Sequence, residues 1–206
     1  MKWLKNPLSL KKKQSPHTQL TYPVVRPYSA PLTGRRKRIP SSPIQSYFIP
    51  LSLMEGTDKI FRKWASRTAE GYAWWTGHLN SKAEAQICSV LYPEVKTYYG
   101  RIHLDRRMMS AMHRKLIELD QILLAELHTH PPGAGGQNEV DADNAAIFYP
   151  GFITIVVPNF AKPRFYDLRN SFIYEYQHSG LWRKLEKSEI SKRFVIEESL
   201  VEVKTR

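Results

Sequence analysis

Eight of the fourteen prolines in this 206-residue chain fall at or before residue 50, at positions 7, 16, 23, 27, 31, 40, 43 and 50. Proline removes a backbone donor and pushes the residue before it out of the helical region, so no regular helix can run through this stretch. Residues 1–54 also lack Asp and Glu, while carrying Lys2, Lys5, Lys11, Lys12, Lys13, Arg26, Arg35, Arg36, Lys37 and Arg38. High charge with few aliphatics leaves too little apolar area to offset chain entropy. Residues 1–45 are therefore expected to be a disordered basic tail, with the folded body starting near residue 46.

The same count redistributes the net charge of +12. Ten positive charges lie in the tail, which leaves +2 for residues 55–206. A basic balance can signal nucleic-acid binding, but here the charge is not interleaved with aromatics on a folded face, so nucleic acid is not the expected partner. The run GRRKR at 34–38 could touch an acidic surface, or simply be solvated. The opening MKWLKNPLSLKKK is interrupted by Asn6, Pro7 and three lysines, unlike a secretory signal. No apolar run approaches a membrane span. One cysteine, Cys88, excludes a disulfide framework and a multi-cysteine metal site, and points to the cytoplasm. In its apolar strand it reads as core packing.

Residues 46–206 read as one domain. A helix is expected over 51–66, with Leu53, Ile60, Phe61 and Trp64 on one face. Strands follow over 71–77 and 84–93, joined by the polar turn HLNSKA. Residues 104–119 read as a helix, because Met108, Met112, Leu116 and Leu119 recur at three- and four-residue steps. A buried strand over 122–130 is stopped by Pro131 and Pro132. A glycine-rich loop and a short helix over 141–148 precede the β-branched strand 152–159. A strand with a turn over 171–185 and a last strand over 194–203 complete the pattern. Interspersed strands and helices give an α/β (α+β) class with a mixed central sheet flanked by helices. Of Trp74 and Trp75, which alternate across their strand, one should be core; the other either lines a groove or covers the sheet.

The chemistry is concentrated after residue 69. His128 and His130 project from the same side of one strand end, so both imidazoles can reach a single ion. Alone, His-x-His is a weak signal. Asp141 lies eleven residues on, beyond Gly133, Gly135 and Gly136, which let the chain fold back on itself. Two imidazoles and a carboxylate make the three-ligand set of a catalytic zinc, with a fourth position left for water. Glu70 opens the strand expected beside the histidine strand, where a carboxylate can take a proton from that water and deliver it to a leaving amine. Glu126 shares the parity of the histidines; it either orients a ligand from behind or is a polar residue satisfied at a strand edge. Asp143 is a rival ligand, but its spacing suits the exposed face of the short helix better. The remaining histidines, 17, 78, 103, 113 and 178, have no metal-ligand spacing. GAGG lacks the Gly-Lys-Ser/Thr of a phosphate loop, so nucleotide binding is set aside.

These residues resemble the JAB/MPN domain with its JAMM metalloprotease motif: a Glu on an early strand, then His-x-His, seven residues, Ser, two residues and Asp. Here Glu70 stands 58 residues before His128, and HTH is followed by PPGAGGQ, Asn138, Glu139, Val140 and Asp141. Asn138 occupies the serine position. The resemblance covers residues 46–185, Trp182 included, and implies a cytidine-deaminase-like/MPN architecture. It further implies one zinc on His128, His130 and Asp141, with Glu70 as the base. The family serine helps bind the oxyanion of the tetrahedral intermediate, and an asparagine amide can donate in its place. As such a donor, Asn138 would affect turnover and leave metal content unchanged. The bacterial members it looks like most are encoded with ubiquitin-like conjugation or antiviral operons. They cut after the C-terminal tail of a ubiquitin-like protein, at an isopeptide bond or in a precursor. Asn138 is equally the feature that would mark a catalytically weak MPN scaffold, which binds its partner without cleaving it.

Overall fold

Long β-branched and aromatic runs bounded by prolines and glycines favour one extensive sheet, and a sheet is what the computed structural model contains. It describes residues 44–66, 68–93, 105–162 and 164–198. In chain order the elements are β1 (Ser46–Pro50), α1 (Leu51–Ala65), β2 (Tyr72–Leu79), β3 (Glu84–Leu91), α2 (Arg106–Glu118), β4 (Ile122–Thr129), α3 (Glu139–Asp143), β5 (Ile153–Val157), β6 (Phe172–Tyr176), β7 (Trp182–Lys184), α4 (Lys187–Arg193) and β8 (Phe194–Glu197). The eight strands form a single mixed sheet in the order β7-β6-β5-β4-β2-β3-β1-β8. Pairs β4/β5, β1/β3 and β1/β8 are parallel, and the other four are antiparallel. The fold is thus mixed α+β, as the sequence pattern indicates. No described helix is long and apolar enough to cross a membrane.

Centre-sheet strands are covered on both faces, so they read as continuous apolar runs rather than alternating ones. All five residues of β5 are buried, as are residues 123–129 of β4. Both Trp74 and Trp75 are fully buried, so neither lines a groove. Trp74 Nε1 donates to the Tyr72 hydroxyl at 2.8 Å and Trp75 Nε1 to Thr57 Oγ1 at 2.9 Å, which satisfies both indoles. Cys88 is also corrected: it alternates with buried Ala85 and Ile87 and lies on the exposed side of β3.

Several boundaries shift for local reasons. The face of α1 is centred on Met54, Thr57, Asp58, Phe61 and Trp64, with Leu53 and Ile60 flanking it. Buried Asp58 survives there because it pairs with Arg62 at 2.7 Å and accepts the Phe165 amide at 2.9 Å. The expected helix over 141–148 is instead Glu139–Asp143, beginning two residues earlier because Asn138 caps it. The segment expected as strand with turn over 171–185 is the hairpin β6–β7. β1 and α4 were not expected. β1 is only five residues long and runs directly into α1, and α4 opens with a Glu186/Glu189 capping box in place of the usual Ser or Thr. Of the strand expected over 194–203, β8 accounts for residues 194–197, and the part from residue 199 lies outside the described residues. The tail reading also lies outside them up to residue 43, and with it the run at 34–38. Ile44 and Gln45 belong to the body: Ile44 is fully buried, and the Gln45 amide donates to the Ala83 carbonyl at 2.8 Å.

Candidate metal centre

Strand alternation puts Glu126, His128 and His130 on one side of β4, with His130 one residue past the strand's end. The backbone there is held from two directions. The His130 amide donates to the Val157 carbonyl at 2.9 Å, and the Phe160 amide donates to the His130 carbonyl at 2.8 Å. Phe160 lies in a turn, Asn159–Ala161, whose three residues all have φ between 53° and 58°. Left-handed conformations cost non-glycine residues energy and persist where the surroundings over-determine them. Here buried Phe160 and Ala161 supply that packing beside a candidate ligand.

The glycine-rich loop returns the chain as expected. Gly133 adopts φ +82°, and a Cβ at Gly136 would collide with the Tyr174 hydroxyl of β6, so the loop lies against the sheet. Gly135 contributes its carbonyl, which lies 3.0 Å from His130 Nδ1. A carbonyl only accepts, so Nδ1 carries a proton and Nε2 is the ring nitrogen turned toward His128 and Asp141. Sequence reasoning missed this contact because any residue's carbonyl could make it.

The loop ends in a reciprocal cap. Asn138 Oδ1 accepts the Asp141 amide at 3.1 Å, and Asp141 Oδ2 accepts the Asn138 amide at 3.0 Å. That same Oδ2 lies 3.3 Å from His130 Nε2 and 3.6 Å from His128 Nε2, and the two imidazole nitrogens are 3.1 Å apart. Donors on a tetrahedral ion with metal–ligand bonds of about 2.0–2.1 Å are about 3.3–3.4 Å from one another. The three atoms therefore fit one metal ion of that bond length. His128, His130 and Asp141 form the one such group among the described residues. Asp143, the rival, is exposed and is not part of it.

Charges around the centre agree with this geometry. Partial burial pushes the Asp141 carboxyl up, but the two imidazoles and the Asn138 amide overcome it and hold Asp141 far below the usual carboxylate range. Burial lowers His130, yet the Asp141 carboxylate and Gly135 carbonyl outweigh it and raise the imidazole. Glu70 is half-buried just before β2. The Gly71 amide donates to Thr129 Oγ1 at 2.8 Å and the Thr129 amide to the Gly71 carbonyl at 3.0 Å, extending the Tyr72–His128 register so that Glu70 comes level with His130. Burial pushes the Glu70 carboxyl up; His130 and His128 pull it part of the way back. The structure thus brings Glu70, His128, His130 and Asp141 together from three separate segments, with Asn138 exposed at the rim. Such a set can bind a cation and hold a carboxylate beside it for proton transfer.

No family model matches the chain. Among solved structures it is similar to the solution structure of the protein DSY2949 from Desulfitobacterium hafniense, a structural-genomics target. The TM-score is 0.53 at 13% identity, covering 78% of this chain and 99% of that one. At that identity the likeness concerns the fold alone.

Proposed function

We propose that the chain is a zinc-dependent metallopeptidase of the JAB/MPN type. Its substrate is the C-terminal tail of a ubiquitin-like protein, in an isopeptide-linked conjugate or a precursor. The observation that carries this reading is the convergence of His128 Nε2, His130 Nε2 and Asp141 Oδ2 within 3.6 Å of one another, with Glu70 level with His130. These four residues stand where the motif places ligands and base. When bound, a zinc ion would supply a Lewis acid that polarises the scissile carbonyl and acidifies water. The protein's own contribution is positional. Glu70, fixed by the Gly71–Thr129 pair, takes up a proton beside the ligands and passes it to the leaving amine. The Asn138 amide nitrogen is left to donate to the oxyanion, because its oxygen is committed to the cap. What favours the second reading, a scaffold that binds the partner without cleaving it, is that Asn138 stands at the motif's serine position.

Two measurements test the proposal. Zinc-loaded wild type should carry about one ion per chain by elemental analysis, and His128→Ala or His130→Ala should lose it, since two ligands hold zinc poorly. Glu70→Gln should keep the ion and lose about 10²–10⁴ in the rate of cleaving a ubiquitin-like fusion. Unchanged zinc in both histidine variants would remove the centre. A wild type that binds zinc and the partner but does not cleave would leave the scaffold.

A further inference from the structure

Three carboxylates are buried to within 4% exposure among the described residues: Asp58, Glu126 and Glu175. Asp58 pairs with Arg62, and Glu175 with Arg183 and Arg193. Glu126 has no Lys or Arg partner among the described residues, although burying a carboxylate is costly without strong compensation. Its contacts explain what it does instead. Glu126 Oε2 accepts the Ala146 amide at 2.6 Å, three residues beyond the end of α3. On the neighbouring strand the Tyr72 hydroxyl accepts from Trp74 Nε1 at 2.8 Å. Tyr72 is the register partner of His128, and Trp74 that of Glu126. The Glu126–Ala146 hydrogen bond therefore ties the middle of the sheet to the segment that follows Asp141.

We infer that Glu126 is a positioning residue for the metal centre, acting on the Asp141 side of it rather than on the histidines. Asp141 sits on a five-residue helix with no buried residue of its own, so packing alone does not fix the carboxylate against β4. The cap at Asn138 holds the start of this helix. The Glu126–Ala146 bond holds the chain beyond its end and ties it to the strand that carries His128 and His130. Partners of this kind, one step removed from the ligands, commonly control metal affinity.

The inference rests on the metal-centre reading, and one experiment separates their failures. Zinc affinity is measured by competition with a chromogenic chelator, and folding by thermal melts of the metal-stripped proteins. Glu126→Ala should melt cooperatively and bind zinc about 10–100-fold more weakly than wild type. Glu126→Gln should recover most of that loss, because its oxygen can still accept from the Ala146 amide. A merely structural role would lower the melting temperature of Glu126→Ala and leave its zinc affinity within about threefold of wild type, overturning the inference. Glu126→Gln binding as weakly as Glu126→Ala would also overturn it, since charge rather than position would then be at work. Should Glu126→Ala not fold, Ala146→Pro removes the donor and leaves the carboxylate. It should weaken zinc binding about tenfold or more, and wild-type affinity there would count against the bond. A wild type that binds no zinc would overturn the centre itself, and this inference with it.

Discussion

Asn138 is tied to Asp141 twice, once through its side chain and once through its backbone. Its oxygen caps α3 through the Asp141 amide, while its own backbone N–H holds Asp141 Oδ2. An oxyanion donor acts only in the transition state, so its removal would lower turnover at constant metal affinity. A cap that aims a metal ligand behaves differently. Removing an N-cap of this type costs about 1 kcal/mol, which corresponds to about fivefold in any equilibrium coupled to it. Asn138→Ala should therefore weaken zinc binding several-fold as well as slow cleavage. Asn138→Ser should bind zinc within about twofold of wild type, because serine caps about as well as asparagine. Chelator competition on both variants decides. Wild-type zinc affinity in Asn138→Ala, with cleavage lost, would leave the amide as an oxyanion donor alone.

At the scale of elements, the sequence was most informative where packing repeats a period and least where a single contact decides. The four-residue spacing of Met108, Met112 and Leu116 and the apolar run that opens β4 at residues 122–125 announced their elements, because each pattern is the burial pattern itself. The ligand set was legible for the same reason: His128 and His130 share a face by strand geometry, and the glycines before Asp141 permit the return. What stayed hidden depends on partners far along the chain. β1 becomes a strand by lying between β3 and β8, and Glu126 finds its acceptor role through Ala146. Gly77 is of this second kind. β2 and β3 slip register between Thr76 and Gly77, and a Cβ at Gly77 would run into the Gln86 carbonyl across the strand. Backbone on a paired strand cannot yield as a flexible side chain would. Gly77→Ala should thus cost about 1–3 kcal/mol by urea denaturation, as overpacking does. A variant as stable as wild type would mean that the two strands can part there without cost.

For the molecule as a whole, the critical junction lies away from the candidate metal centre. Arg193, at the end of α4, donates to the Ile44 carbonyl at 2.6 Å and to Glu175 on β6, and its guanidinium sits 5.8 Å from the centre of the Tyr47 ring. Tyr47 stacks on Phe194 with ring centroids 4.7 Å apart, and Arg183 of β7 reaches Glu175 at 3.2 Å. The first residues of the body, its last helix and two strands from the far end of the sheet therefore meet at one buried carboxylate. Burial pushes the Glu175 carboxyl up, but Arg193, Gln177 and Arg183 outweigh it and hold it below the ordinary value. A carboxyl depressed in the folded state contributes stability that is present above its unfolded pKa of about 4.3 and is lost as pH falls through the folded value. Glu175→Gln removes this charge while keeping the shape, and leaves Arg193 without its ion pair. At pH 7 the variant should be about 3 kcal/mol less stable than wild type in urea denaturation, in the range for breaking a buried pair. The gap should narrow below about pH 4 as wild-type Glu175 itself takes up a proton. Other carboxylates titrate alike in both proteins, so the difference between them isolates Glu175. A gap that stays constant down to about pH 3 would show that the two arginines do not hold the Glu175 carboxyl below its unfolded value, which would overturn the charge-based account of the junction.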